Sequence, residues 1–113
     1  MKQVWLLRGG DVLASAEVAE TWADRARGLL GHKSYDGALL LRGTRSVHSA
    51  GMRFPLDVAF LDRELAVVAT CRLRPWAVAR PRRGGCHVIV AQAGSFERWR
   101  LCEGDQVEIR EPR

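Results

Sequence analysis

The sequence predicts a mainly β fold: one compact domain, a sandwich or barrel of the jelly-roll kind. Three observations carry that expectation. Apolar residues recur with period two in several short runs. Clusters of Gly, Pro and Asp that favour turns separate those runs. The chain has 113 residues, enough for one domain to bury a core without disulfides or metal. About seven short strands and two short helices are expected across residues 1–113.

The first strand runs from Gln3 to Arg8 and alternates, with Trp5 and Leu7 on one face. Gly9-Gly10-Asp11 marks a turn, after which Val12, Ala14, Ala16 and Val18 recur at every second position, so the pair reads as a hairpin. Thr21-x-x-Asp24 resembles a capping box with Asp in the closing position. Trp22, Ala26, Leu29 and Leu30 then form one stripe of a short helix that Gly31 stops. Gly28 weakens that helix by about 1 kcal/mol, so close packing is expected to offset it.

Gly37 to Leu41 reads as a buried strand, followed by a long irregular segment, Gly43–Pro55. Leu56, Val58 and Phe60 point one way in the next strand, and Asp57, Ala59 and Leu61 the other. Asp62-Arg63-Glu64 turns the chain, and Leu65, Val67, Ala69, Cys71 and Leu73 are expected on one face of the returning strand. A second long segment, Arg74–Gly85, carries Pro75, Trp76 and Pro81. Loops this long in a small domain are usually functional or mobile. Cys86 to Gln92 is an apolar strand. Ser95 starts a short helical turn that brings Phe96 and Trp99 together, and Val107 and Ile109 lie in a last strand.

No apolar run reaches the length of a membrane span. The apolar stretch after Lys2 is short for an export signal and no small-residue cleavage site follows, so a cytoplasmic location is expected. Cys71, Cys86 and Cys102 are too few and too scattered for a disulfide framework and read as buried thiols. The four tryptophans are expected to supply buried area. Net charge is +5, and no acid lies between Leu65 and Phe96, a stretch that holds Arg72, Arg74, Arg80, Arg82 and Arg83. This basic sector could draw nucleic acid, anionic lipid or an acidic partner. The plainer reading is a solvated face, because only Lys2 and Lys33 of the 18 basic residues are lysines, a skew that base composition can produce.

Several motifs then combine. Arg25-Ala26-Arg27-Gly28-Leu29-Leu30-Gly31 resembles an "R-x-R-G-L-M" signature, and Gly37 to Leu41 is similar to a "G-M-L-F" strand. Val47-His48-Ser49-Ala50-Gly51-Met52-Arg53-Phe54-Pro55-Leu56-Asp57 is similar to a "V-H-T-F-G-M-R-F-P" segment followed by "L-D". Together they resemble the DUF192 family of uncharacterised bacterial and archaeal domains, over roughly Ala19 to Ile109. Ser49 and Ala50 stand where Thr and Phe are usual in that branch, and His32 where Arg is common. The resemblance implies a compact, mainly β, jelly-roll-like fold and no established activity.

Site candidates follow from residue chemistry. Asp57 is isolated from other acids at the start of an apolar strand and needs a partner, for which Arg27 and Arg53 are candidates. Its plain role is to accept backbone N–H groups or one Arg and fix a loop. His48 sits beside Ser49 in the first long loop. A His48–Asp57 pair could act as acid–base with Ser49 as nucleophile and Arg27 or Arg53 as anion clamp, but neighbours on an extended backbone point apart and no nucleophile elbow is present. No metal-ligand spacing links His32, His48, His87 and the cysteines, and no cofactor motif occurs.

The leading expectation is therefore a non-enzymatic module, monomer or weak dimer, that binds a small molecule or protein through the loops 43–55 and 74–85. His48, Arg53, Trp76 and Arg27 would make contacts, with Asp57 as anchor. The alternatives are a small hydrolase or isomerase using His48 and Asp57, and weak nucleic-acid binding through the 72–83 sector.

Overall fold

In the computed structural model the described residues are 2–19 and 37–112. The helix expected from Thr21 to Gly31, and with it Arg27 and His32, lies outside them. Nine strands and one short helix are described. The strands are β1 (Lys2–Arg8), β2 (Asp11–Val18), β3 (Ala38–Leu41), β4 (Val47–His48), β5 (Leu56–Leu61), β6 (Val67–Leu73), β7 (Val78–Ala79), β8 (His87–Gln92) and β9 (Glu108–Arg110); the helix is α1 (Ser95–Trp99). The mainly β expectation holds. Two of the strands are two-residue pieces within the long loops, which the sequence pattern left irregular.

Gly9 and Gly10 form the two-residue turn of the β1–β2 hairpin with φ of +59° and +87°. Two consecutive positive φ values suit a twisted hairpin and favour glycine at both sites. Seven strands then make one curled sheet in the order β6-β5-β8-β3-β2-β1-β9, with β2 and β3 the parallel pair. The two ends of the sheet meet at one place. Ala66 bridges Gln106, and the amides of Val67, Gly104 and Val107 donate to Asp105 (2.8 Å), Val67 (2.8 Å) and Leu65 (3.0 Å). The sheet is thus a half-barrel, stitched where an open edge would otherwise invite pairing.

The inner face of this curl gathers Val4, Leu6, Ala16, Leu40, Ala59, Leu61, Ile89 and Val107, and Phe96 and Leu101 plug it. A second core lies on the outer face of β3, β5 and β8. Leu39, Leu41, Leu56, Val58, Phe60, Val88 and Val90 meet Val47, Met52, Leu73 and Ala79 there. The alternation expected for β5 therefore separates two cores rather than a core from solvent.

Four sequence-based expectations are corrected. A bulge between Phe60 and Leu61 shifts the β5–β6 register, so Val67 joins the inner core while Ala69, Cys71 and Leu73 pack on the outer one. In β1, Val4 and Leu6 point inward, and Trp5 is 43% exposed. The tryptophans do not form the core: Trp76 is 73% exposed and Trp99 is only partly buried. Cys71 and Cys86 are half-buried and Cys102 is exposed, all three free, so the buried-thiol reading fails for Cys102.

Leu61→Ala should cost about 3 kcal/mol, because a fully buried side chain leaves a cavity in the inner core. Trp5→Ala should cost less than about 1 kcal/mol despite its larger ring. Urea denaturation of both variants checks the assignment.

Candidate functional site

The loops 43–55 and 74–85 form the layer over the outer core. They are paired to each other: Val47 faces Ala79 and His48 faces Val78 in an antiparallel ribbon. Val47 and Ala79 point into the core, which leaves His48 and Val78 on the outward side. Ser49 fixes the next step. It is fully buried, and its N–H donates to Ala77 O at 2.8 Å while its carbonyl accepts from Met52 (3.0 Å) and Trp76 (3.0 Å). Its Oγ donates to Arg74 O at 2.5 Å, with Ala77 O at 3.3 Å, and accepts from Ala77 N–H at 2.8 Å. One small side chain thus satisfies groups from both loops, which explains a hydroxyl in an apolar layer. Ser49 Oγ is held as a structural staple within that layer.

The outward side of this ribbon carries two of the large exposed apolar residues, Trp76 (73%) and Val78 (65%). Trp76 has φ of +57°, a left-handed conformation that costs a bulky residue about 1–2 kcal/mol. Its N–H bond to Ser49 O keeps it there. His48, Arg53, Arg74 and Arg80 are exposed in the same layer. His48 Nδ1 accepts the Ala50 N–H at 3.3 Å. The structure therefore brings His48, Trp76 and Arg53 into one layer. Val78 is the exposed neighbour of His48 that sequence reasoning missed; its signal was an aliphatic residue in a loop, visible only once the pairing with His48 is known.

Asp57 has a different position. It is 5% exposed and faces the inner side of β5. Oδ2 accepts the N–H groups of Gly94 (2.9 Å) and Phe96 (3.1 Å), at the start of α1, and Oδ1 accepts from Arg72 Nε at 3.3 Å. The carboxylate caps α1 from the neighbouring strand. Arg72, its cross-strand neighbour in the β5–β6 register, is the arginine beside it, where Arg27 and Arg53 were the expected ones. The acceptor capacity of Asp57 is directed at α1 and β6, on the far side of the sheet from the ribbon that bears His48.

The other end of α1 is held by Arg8. Its guanidinium donates to Trp99 O (2.8 Å), Arg100 O (2.6 Å) and the Asp105 carboxylate (2.9 Å). The Cys102 N–H bond to Asp105, burial acting against it and Arg8 assisting, holds that carboxyl below its usual range.

In the 72–83 sector, Arg72 serves Asp57, and Arg82 lies over the Phe60 ring at 4.9 Å and donates to Arg80 O at 2.8 Å. Gly85 permits this arrangement, since a Cβ there would come within 3.1 Å of Arg82 O. Arg74, Arg80 and Arg83 remain exposed.

At the end of the sheet where β3 and β5 finish and β8 begins, Gly43, Arg45, Asp62, Arg63, Glu64, Gly84, Gly85 and Cys86 line an open cleft of about 520 Å³. His87 Nδ1 accepts the Gly43 N–H there at 3.0 Å. Burial, then Arg42, push the His87 pKa down, against an opposing pull from Asp62. Burial also raises the Cys71 thiol, with Arg82 opposing and Asp57 adding. Among the described residues, no group of three or more His, Cys, Asp and Glu side chains is placed to hold a metal ion, and no helix is long and apolar enough to cross a membrane.

The profile of the DUF192 family, described as "Uncharacterized ACR", matches residues 5–109. A UPF0127 protein of Pyrococcus abyssi is 29% identical over 97 residues, covering 81% of this chain and 83% of its own. A UPF0127 protein of Pyrococcus furiosus is 27% identical over 106 residues, covering 89% and 91%. Two crystal structures share the fold. One, a Sinorhizobium meliloti protein described as a "putative transcription regulator", superposes with a TM-score of 0.71 at 20% identity, over 96% of this chain and 92% of that one. The other, a Novosphingobium aromaticivorans protein of unknown function, has a TM-score of 0.70 at 18% identity, over 94% and 83%.

Two stability predictions follow from these nodes. Ser49→Ala should cost about 1–3 kcal/mol by stranding the Ala77 N–H, and should open the Arg53–Phe54 and Arg83–Gly84 bonds to trypsin. For His87, the unfolded chain takes up a proton near the ordinary value of 6.5 while the folded imidazole resists it. This contribution to stability is therefore lost as pH falls below that value. Wild type should weaken from about pH 7.5 to about pH 5 more than His87→Gln does, measured by urea melts.

Proposed function

The chain belongs to the DUF192 family, and from that footing we propose that it works as a non-enzymatic binding module whose contact surface is the outward side of the β4–β7 ribbon. Trp76 and Val78 would be the apolar contacts, with His48, Arg53 and Arg74 around them. One observation carries the reading: a tryptophan 73% exposed, kept at a positive φ by a bond to a fully buried staple. Exposure means that core packing does not account for the ring. Left-handed backbone means that the position disfavours it on conformational grounds. Exposed Trp and Arg are the residue types that dominate contact energies in protein interfaces. Asp57 supports the site indirectly, as a fixed cap within the sheet.

A second reading, weak nucleic-acid binding, is favoured by Arg74, Arg80 and Arg83, exposed in the same sector as Trp76. A fold relative described as a "putative transcription regulator" points in the same direction. It requires an affinity that falls steeply as salt rises, and a gel shift at low salt decides it.

Trp76→Gly separates a functional tryptophan from a structural one. Glycine adopts the left-handed backbone freely, so the variant should keep or gain stability, by up to about 1 kcal/mol. Fragment screening by two-dimensional NMR tests the surface itself. Binders should shift the amides of His48, Ala50, Trp76 and Val78 in wild type and lose affinity for Trp76→Gly. Binders that instead cluster on Gly43, Glu64 and Gly85 would move the site to the cleft.

A further inference from the structure

We infer that the partner of this ribbon is an acidic peptide segment with an aliphatic or aromatic side chain at its centre; the inference rests on the binding reading above. The loops 43–55 and 74–85 contain six arginines, at 45, 53, 74, 80, 82 and 83, and no Asp or Glu. The whole chain nets +5, so the remaining residues together net −1, from 5 − 6. The positive charge of the protein is thus concentrated in these two loops, with Arg45 at the cleft, Arg82 over Phe60, and Arg53, Arg74, Arg80 and Arg83 exposed.

The ribbon geometry organises that charge. His48 pairs with Val78 on the outward side. Just past that pair, the Ser49 carbonyl accepts from Trp76 and its Oγ from Ala77, which sets the Trp76 turn beside the ribbon. The result is a short apolar strip with exposed arginines beyond it. An apolar centre inside a charged rim is the anatomy of a peptide or protein contact. Arginine also offers a planar fork matched to carboxylates.

Other anionic partners fit less well. Single-stranded nucleic acid binds on successive aromatic platforms, and Trp76 is the one exposed aromatic among the described residues of these two loops. Val78 offers a base no stacking face. Two apolar side chains also make a small foothold for a bilayer, where stable attachment needs a larger buried area or a second anchor.

The test is fluorescence anisotropy with a labelled peptide of alternating glutamate and leucine. Its comparison probes are the glutamine–leucine counterpart, a single-stranded oligonucleotide and vesicles containing phosphatidylserine. The glutamate–leucine peptide should bind, and weaken about tenfold or more with Trp76→Ala and with Trp76→Gly. Arg74→Ala and Arg80→Ala should each weaken it, raised salt should weaken it, and the glutamine counterpart should bind less. Cooperative thermal melts with midpoints close to or above that of wild type confirm that the variants fold. Trp76-dependent binding of the oligonucleotide or the vesicles, but not of the peptide, would overturn the partner class and leave the ribbon as the contact surface. Peptide binding indifferent to Trp76, or no Trp76-dependent binding of any probe, would overturn the inference. Fragment mapping by NMR judges the surface independently of that result.

Discussion

Strands β3, β5 and β8 carry apolar side chains on both faces, and this demand for double burial governs the rest of the molecule. A lone curled sheet buries its concave face and wets the other. Here Leu39, Leu41, Val58, Phe60, Val88 and Val90 would all be exposed by that arrangement. The two long loops are therefore part of the hydrophobic structure. Each contributes core residues, Val47 and Met52 from the first and Ala79 from the second, and neither can leave without opening the outer core. Segments with this duty cannot be disordered, yet their backbones must be satisfied away from the main sheet. The short β4–β7 ribbon and Ser49 meet that need. Its outward side is then free to vary, and it is there that Trp76 and Val78 lie.

Polar groups appear where layers join. Ser49 ties the two loops, Asp57 ties β5 to α1 and β6, and Arg8 ties β1 to the end of α1 and to Asp105. Among the described residues, no buried side-chain nitrogen or oxygen lacks a hydrogen-bond partner. Buried carboxylates and hydroxyls tempt a catalytic reading, but here Ser49 and Asp57 are engaged by backbone groups that burial would otherwise strand. Trp76 and Val78, exposed and apolar, carry no such structural duty.

Much of the fold was legible because local chemistry dictated it. Gly9-Gly10 can hardly be other than a tight turn, and the alternation of Leu56 to Leu61 sorted its residues correctly. What alternation could not reveal was whether the second face met water or a second core. The bulge opposite Phe60 and Leu61 was also hidden, since an extra residue leaves no mark in a Val- and Ala-rich run. Trp5 misled because hydrophobicity alone placed it inside; its ring lies outward, while Val4, Leu6 and, past a bulge, Leu7 are buried. For the site, loop chemistry pointed to His48, Arg53 and Trp76. It could not supply Arg72 for Asp57, Val78 for Trp76, or the role of Ser49, because all three depend on which strand lies beside which.

Native-state amide hydrogen exchange reads whether the two loops form a fixed layer pinned through Ser49. The N–H groups of Ser49, Met52, Trp76 and Ala77 all donate within the layer. They should exchange together, much more slowly than an unstructured loop, with protection approaching that of β5 and β8. Exchange of these four amides at the rate of an unprotected chain, with β5 and β8 still protected, would contradict the account.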